Sequence, residues 1–196
     1  MQISIVGLDI AKQVFQVHAA DAEGRRVAQV RLRRAQVLDF FRELPPCLVG
    51  MEACATAHHW ARELIALGHE VKLMPPAYVK PYVKRNKTDA ADAEAIAEAV
   101  TRPTMRFVAV KSVEQQSMLM LHRVRELFVR QRTMLATALR AHLAEFGIVA
   151  PQGIHRVEKL AAEVRDPAVP PLAQEALSLL VDELASAKAE LFNLRF

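Results

Sequence analysis

The sequence lacks the features typical of disulfide-rich, zinc-binding and membrane proteins. Its 196 residues include only two cysteines, Cys47 and Cys54, and no CxxC motif. We therefore predict no disulfide framework, and a zinc site built on Cys54 and His58 would lack two of the four ligands that zinc usually takes. No apolar run approaches the roughly 18 residues of a membrane span, and no basic region precedes the apolar N-terminal segment. These absences favour a cytoplasmic protein with no membrane partner.

The composition is typical of a globular protein with a hydrophobic core. Hydrophobic residues make up 52% of the sequence, and its length suffices for one well-packed domain with an appendage. No internal repeat or low-complexity segment is present. The formal net charge of +4 and the pI near 9.3 favour a polyanionic partner such as nucleic acid.

The first hundred residues alternate between strand and helix patterns. Short apolar or alternating runs predict five strands over residues 3–8, 14–19, 27–32, 47–51 and 70–74. Amphipathic spacing and strong helix formers predict helices over residues 36–44, 55–67 and 89–100. Three consecutive strands followed by crossover units predict an α/β fold with a mixed five-stranded sheet and flanking helices.

The pattern becomes helical from about residue 109. Residues 112–146 carry a broad apolar stripe without proline, and at 1.5 Å per residue they span roughly 50 Å, longer than a small domain covers. A short helical piece is predicted over 155–164, and residues 172–194 show near-heptad spacing. We predict a division into 1–108 and 109–196, and the second part is expected to form a helical hairpin or an intermolecular coiled coil. The long helices are expected to join copies into a homo-oligomer, a dimer or tetramer.

Four carboxylates carry the chemical interest of the sequence. Asp89 and Asp92 share one face of a helix start, while Asp9 and Glu52 each end an apolar strand. Each acid also has a purely structural explanation. Asp89 can cap the helix, with Asp92 as an acid of its first turn, while Asp9 can be a turn residue and Glu52 can reach a helix N-terminus or a lysine. If the first and fourth strands are neighbours, all four converge on one edge, where their mutual repulsion calls for cations. Oxygen ligands select Mg²⁺ or Mn²⁺, and two such ions support phosphodiester cleavage.

Basic residues lie in two places that suit a phosphate backbone. Tyrosines interleave with cations in a predicted proline-containing loop, residues 75–87, which directly precedes the two aspartates of the DxxD motif, Asp89 and Asp92. Further arginines lie along the long helix. The candidate nucleic-acid-binding residues are Lys80, Lys84, Arg85, Lys87, Arg123 and Arg130. An ordinary loop and a solvated helix face are the alternative interpretation.

Three segments resemble the signature blocks of a known family. GLDIAK around Asp9, VGMEACATAHHWARELIALGHEV around Glu52, and VKRNKTDAADAEAIAEA around Asp89 and Asp92 are similar to blocks of the DEDD insertion-sequence transposases, which include the Piv-type DNA invertases. The resemblance implies an RNase H-like (RuvC-like) catalytic domain in a prokaryotic cytoplasmic protein. It also implies that the four acids bind Mg²⁺ and act in DNA strand cleavage and exchange, and that multimers work with a structured noncoding RNA.

The resemblance is incomplete at the C-terminal end. Family members continue into a second domain that supplies a nucleophilic serine, whereas this chain stops at Phe196. The late serines lie in helical contexts without a nearby activating base, so none is assigned that role: Ser112, Ser117, Ser178 and Ser186. We therefore expect a fragment or a shortened protein. A non-catalytic RNA- or DNA-binding and dimerisation module is the alternative function.

A third hypothesis comes from a different class of enzyme. VGLDIAK is also similar to the first phosphate motif of actin-like sugar kinases, which share the RNase H-like core. That motif places glycine, serine or threonine after its aspartate, whereas Ile10, Ala11 and Lys12 follow Asp9 here. No later glycine-rich segment for an adenosine is present, so the kinase hypothesis has little support.

Overall fold

A computed structural model describes residues 2–83, 89–151, 153 and 156–194 of the chain. The side chains of Asp89 and Glu158 also lie outside its description. Three predicted nucleic-acid-binding residues, Lys84, Arg85 and Lys87, therefore lie outside the described residues.

The N-terminal sheet has five strands in the order β3-β2-β1-β4-β5. Their bounds are Ile5–Asp9 (β1), Val14–Ala20 (β2), Arg26–Arg33 (β3), Leu48–Glu52 (β4) and Glu70–Met74 (β5). The first three strands form an antiparallel meander, while β1, β4 and β5 run parallel. The mixed five-stranded sheet predicted from the sequence is thereby confirmed, and β1 and β4 are neighbours.

Seven α-helices follow or separate the strands in the described part of the chain. They are Val37–Arg42 (α1), Ala57–Ala66 (α2), Pro76–Val79 (α3), Asp89–Val100 (α4), Val113–Ala144 (α5), Val157–Glu163 (α6) and Pro171–Asn193 (α7). The predicted basic loop after β5 differs in detail, because it contains α3 and a 3₁₀ turn, Lys80–Tyr82. Pro76 opens α3, where its fixed φ suits a first helical position. No described helix is both long and apolar enough to cross a bilayer.

The two faces of the sheet are covered differently. Alternate residues of the strands, such as Phe15 and Val17, are fully buried on one face against α1 and α2. Phe15 meets the Trp60 ring of α2 edge to face, with 5.0 Å between ring centroids. The opposite face carries α4, whose Ile96 and Val100 are buried with Met74 of β5.

The chain divides into two compact units, residues 1–113 and 114–196. The second unit has a core of its own, in which α5 contributes residues from only its C-terminal half. Its fully buried or nearly buried members include Leu139, Leu143, Leu160, Leu177 and Leu184. The long helix predicted from the apolar stripe is confirmed as α5, with 32 residues.

Candidate functional site

Asp9 and Glu52 end two neighbouring parallel strands. Leu8 of β1 faces Met51 of β4, so the acids that follow them occupy adjacent positions about 4.8 Å apart, one strand spacing. Leu8 and Met51 are fully buried in the core beneath α1 and α2. Because side chains alternate along a strand, Asp9 and Glu52 project from the opposite face, and both are partly exposed there.

Helix α4 lies on the same face as the two acids. A Cβ atom on Gly7, two residues before Asp9, would lie 2.1 Å from the carbonyl oxygen of Ala93. The α4 backbone therefore rests directly on β1. Near its C-terminal end, Glu98 and Arg102 line a cavity together with Ile5, the first residue of β1. The helix thus runs antiparallel to β1, and its N-terminal end points toward the end of the strand that carries Asp9.

Asp92 stands in the first turn of α4, one residue before Ala93. It is partly exposed and shares a helical flank with Ile96 and Ala99, four and seven residues later. Those two residues are buried with Met74, the last residue of β5. Asp92 therefore lies on the side of α4 that faces β4 and β5. Asp89 begins the helix, but its side chain is outside the described residues.

The two strand-end acids create a negative local potential. The Cys54 thiol is exposed, and desolvation by nearby protein atoms, followed by the charges of Glu52 and Asp9, raises its pKa above the usual value. Both carboxylates therefore act on one thiol two residues beyond Glu52. Sequence patterns did not predict this electrostatic effect of the two acids on Cys54. The position of Cys54, two residues after the end of β4, was the available signal for it.

The donor set determines which metal these residues suit. Among the side chains that the structure describes, no group of three or more His, Cys, Asp or Glu residues is placed to hold a metal ion. The adjacent pair Asp9 and Glu52 offers only oxygen donors, which fit a hard divalent cation. Zinc is not favoured, because the His58 ring nitrogens lie 3.2 and 3.1 Å from the backbone nitrogen and Nζ of Lys111.

The predicted nucleic-acid-binding residues that the structure describes are all exposed. Lys80 lies in the 3₁₀ turn of the first unit. Arg123 and Arg130 lie on α5 of the second unit, and their seven-residue spacing places them on one helical face. Each is accessible to a phosphate.

Sequence patterns missed a set of polar residues beside the acid pair. Asp9 faces Gln16 of β2, and Gln16 faces Arg31 of β3. The alternation of polar and apolar residues along β2 and β3 predicted which face each side chain occupies. The register that aligns Gln16 and Arg31 with Asp9 was not available from that alternation.

Comparison with known proteins identifies relatives that match most of the chain. A family model described as transposase, for the DEDD transposases of IS110-type elements, matches residues 6–148. A Pseudomonas aeruginosa protein named "Probable family 20 transposase" is 51% identical over 99% of this chain and 59% of its own length. The transposase for insertion sequence element IS1328 of Yersinia enterocolitica is 42% identical over 91% of this chain and 53% of its own length.

A further relative gives the same result. The transposase for insertion sequence element IS1111A of Coxiella burnetii is 44% identical over 79% of this chain and 42% of its own length. The chain thus spans about half the length of the curated relatives it matches. The family match covers well over half of the chain, and every one of these relatives is named as a transposase. This chain belongs to the DEDD transposase family of IS110-type insertion sequences.

Proposed function

We propose that this chain is the catalytic N-terminal part of a DNA transposase, which cleaves and exchanges phosphodiester strands with bound Mg²⁺ or Mn²⁺. The observation that carries the proposal is the adjacency of Asp9 and Glu52 at the ends of β1 and β4, on the face that α4 covers. Asp89 and Asp92, in the first turn of α4, are proposed to complete the set. Family membership supports the reaction class.

The chemistry follows from charge. Carboxylates on adjacent strands repel each other, and binding a divalent cation removes that repulsion. Bound divalent cations supply Lewis-acid stabilisation of the attacking and leaving oxygens in phosphodiester cleavage. Asp9 and Glu52 would hold the cation from the sheet, and Asp92 would hold it from the helix. Because Asp9 and Glu52 lie on β-strands, the backbone fixes their positions before substrate arrives.

A structured noncoding RNA and a homo-oligomer are proposed as partners. The positive net charge and the exposed Arg123 and Arg130 support binding to a phosphate backbone. The length of α5 supports an interface between copies, because its buried residues lie only between Ala136 and Leu143.

The experiment compares carboxylate variants within the full-length protein. Asp9→Asn, Glu52→Gln and Asp92→Asn are each expected to reduce Mg²⁺-dependent strand cleavage by at least about 100-fold, because each removes a ligand charge without changing size. Glu70→Gln is the matched control: Glu70 is also a glutamate on a parallel strand, but it lies exposed at the opposite end of the sheet, beside Lys72. Unchanged folding is checked by circular dichroism.

Metal binding is measured separately on the 196-residue chain. Mn²⁺ is expected to raise the melting temperature of the wild type and of Glu70→Gln, and to do so less in Asp9→Asn and Glu52→Gln. EDTA should reverse the effect. Full cleavage activity in Asp9→Asn and Glu52→Gln would overturn the proposed function.

The alternative function is a non-catalytic module that binds nucleic acid and dimerises. It is supported by the positive net charge and by the exposed Arg123 and Arg130, which can bind phosphate without a metal site. A variant with all four acids neutralised separates the two functions. Binding alone should persist or tighten when negative charge is removed, whereas cleavage should disappear.

A further inference from the structure

A row of facing residues crosses the sheet at the level of the acid pair. It runs from Arg31 on β3 through Gln16 on β2 to Asp9 on β1, and Glu52 follows on β4. Facing residues on neighbouring strands project from the same side of a sheet. Leu32, the neighbour of Arg31, is buried in the opposite face with Phe15. Arg31 therefore lies on the acid side of the sheet, about 10 Å from Asp9 at two strand spacings.

The Arg31 side chain is available for a ligand. It is exposed, and it forms no ion pair with any residue that the structure describes. Other arginines close by in sequence are engaged differently: Arg25 binds Asp21 with 2.9 Å between Nε and Oδ2, and the Arg34 guanidinium lies 5.0 Å from the Trp60 ring. Gln16, half-buried between Arg31 and Asp9, offers a neutral amide on the same face.

Resting on the proposed function, we infer that Arg31 binds the phosphate backbone of the DNA strand whose reacting phosphate lies at Asp9 and Glu52. A planar guanidinium matches the geometry of a phosphate and donates two hydrogen bonds to it. A stacked strand advances about 3.4 Å per nucleotide, so the 10 Å between Arg31 and Asp9 corresponds to about three nucleotides. Gln16 lies along the intervening path. The positive charge offsets the repulsion between the strand and the two carboxylates.

Edge protection is the competing explanation for Arg31. β3 is an edge strand, and charges on an edge strand discourage pairing with another chain. Arg26 would serve that purpose equally well, since it is exposed on the same strand. It faces Ala20, which in turn faces Ile5 at the start of β1, far from Asp9. Arg26 is therefore the matched control for Arg31.

The test measures DNA affinity of the 196-residue chain in EDTA. The probe is a fluorescein-labelled single-stranded DNA of about 20 nucleotides, longer than a typical single-domain footprint, followed by anisotropy at several salt concentrations. Arg31→Gln is expected to weaken binding about threefold to fivefold and to lower the slope of log K against log salt by about 0.7. Arg26→Gln should leave both quantities unchanged, and Asp9→Asn should tighten binding because the strand passes over that carboxylate.

Several results would overturn the inference. They are no measurable DNA binding, equal effects of Arg31→Gln and Arg26→Gln, or an Arg31 effect confined to an RNA oligonucleotide of the same sequence. Circular dichroism of each variant checks that the fold persists. The assay requires no cleavage, so its outcome is distinct from that of the carboxylate variants. Normal cleavage in those variants would refute the proposed function, whereas an unaltered affinity in Arg31→Gln would refute only the Arg31 contact.

Discussion

Gly7 of β1 and Ala97 of α4 are in backbone contact: a Cβ atom on Gly7 would lie 2.5 Å from the amide nitrogen of Ala97. No side chain separates the helix from the strand at this point. Asp9 lies two residues after Gly7 on β1, and Asp92 lies five residues before Ala97 on α4. The contact between Gly7 and Ala97 therefore helps to set the distance between these two candidate site residues. Only glycine permits the approach.

Gly7→Ala is expected to displace α4 and destabilise the first unit by at least about 1–3 kcal/mol, the usual cost of overpacking. Backbone atoms form the obstruction, so trimming neighbouring side chains should not restore stability. Gly50→Ala is the comparison, because its Cβ would meet the Val100 side chain at 2.8 Å. Gly50→Ala should cost less stability in urea unfolding than Gly7→Ala, because only the side chain of Val100, the last residue of α4, has to give way. Wild-type stability in Gly7→Ala would contradict the described contact.

His58 should make stability depend on pH. Burial, followed by the charges of Lys111 and Arg62, lowers the pKa of His58 from its ordinary value of 6.5. The unfolded chain therefore binds the proton more readily, and the free energy of unfolding should fall as the pH drops below about 6.5, by at most about 1.4 kcal/mol per pH unit. Above that pH the His58 contribution is fully present.

The measurement is urea unfolding between pH 5 and 7.5. His58→Gln should flatten the pH dependence, whereas His59→Gln, which replaces the neighbouring exposed imidazole beside Glu63, should preserve most of it. Protonation also removes the acceptor that His58 Nδ1 provides to the Lys111 amide at 3.2 Å. An identical slope in wild type and His58→Gln would show that this contact does not titrate in that range.

His69 is expected to be a strong stabiliser of the first unit. It is buried, its Nδ1 accepts from the Cys47 amide at 3.3 Å, and its Nε2 donates to the Phe41 carbonyl at 3.0 Å. His69→Phe leaves both backbone groups without that partner, at a cost of about 1–3 kcal/mol for each unsatisfied group. Cys47→Ala retains both histidine bonds and should cost less. The free energies of unfolding of the two variants test this order.

The Cys54 thiol should report the charge of the acid pair. Because Glu52 helps to raise the pKa of Cys54, Glu52→Gln should lower that pKa and increase the thiolate fraction. Iodoacetamide labelling at pH 8 should then be faster than in wild type, while Glu70→Gln should change nothing. Burial raises the pKa of Cys47 to about 11, so this thiol should not react in the folded protein. Unaltered labelling in Glu52→Gln would show that the carboxylate does not influence the thiol.

The strands and helices were largely predictable because their signals are local. The apolar run ending at Asp9, the alternation from Val14 onward and the stripe of the long helix depend on spacings within one segment. These features determined the number and order of elements, and hence the α/β class. The 3₁₀ and α-helical turns between Pro76 and Tyr82 were missed, since proline at a helix start also fits a loop.

The sequence by itself determined which residues are acidic, which segments end in them, and which face of each strand is apolar. The tertiary structure alone decided that β1 lies beside β4, that α4 lies on the acid face through Gly7, and that Arg31 aligns with Asp9. The physical reason is that strand register and helix placement depend on pairing and packing between distant segments, which no periodicity within one segment encodes. Asp9 and Glu52 are 43 residues apart in the chain and adjacent only because their strands pair.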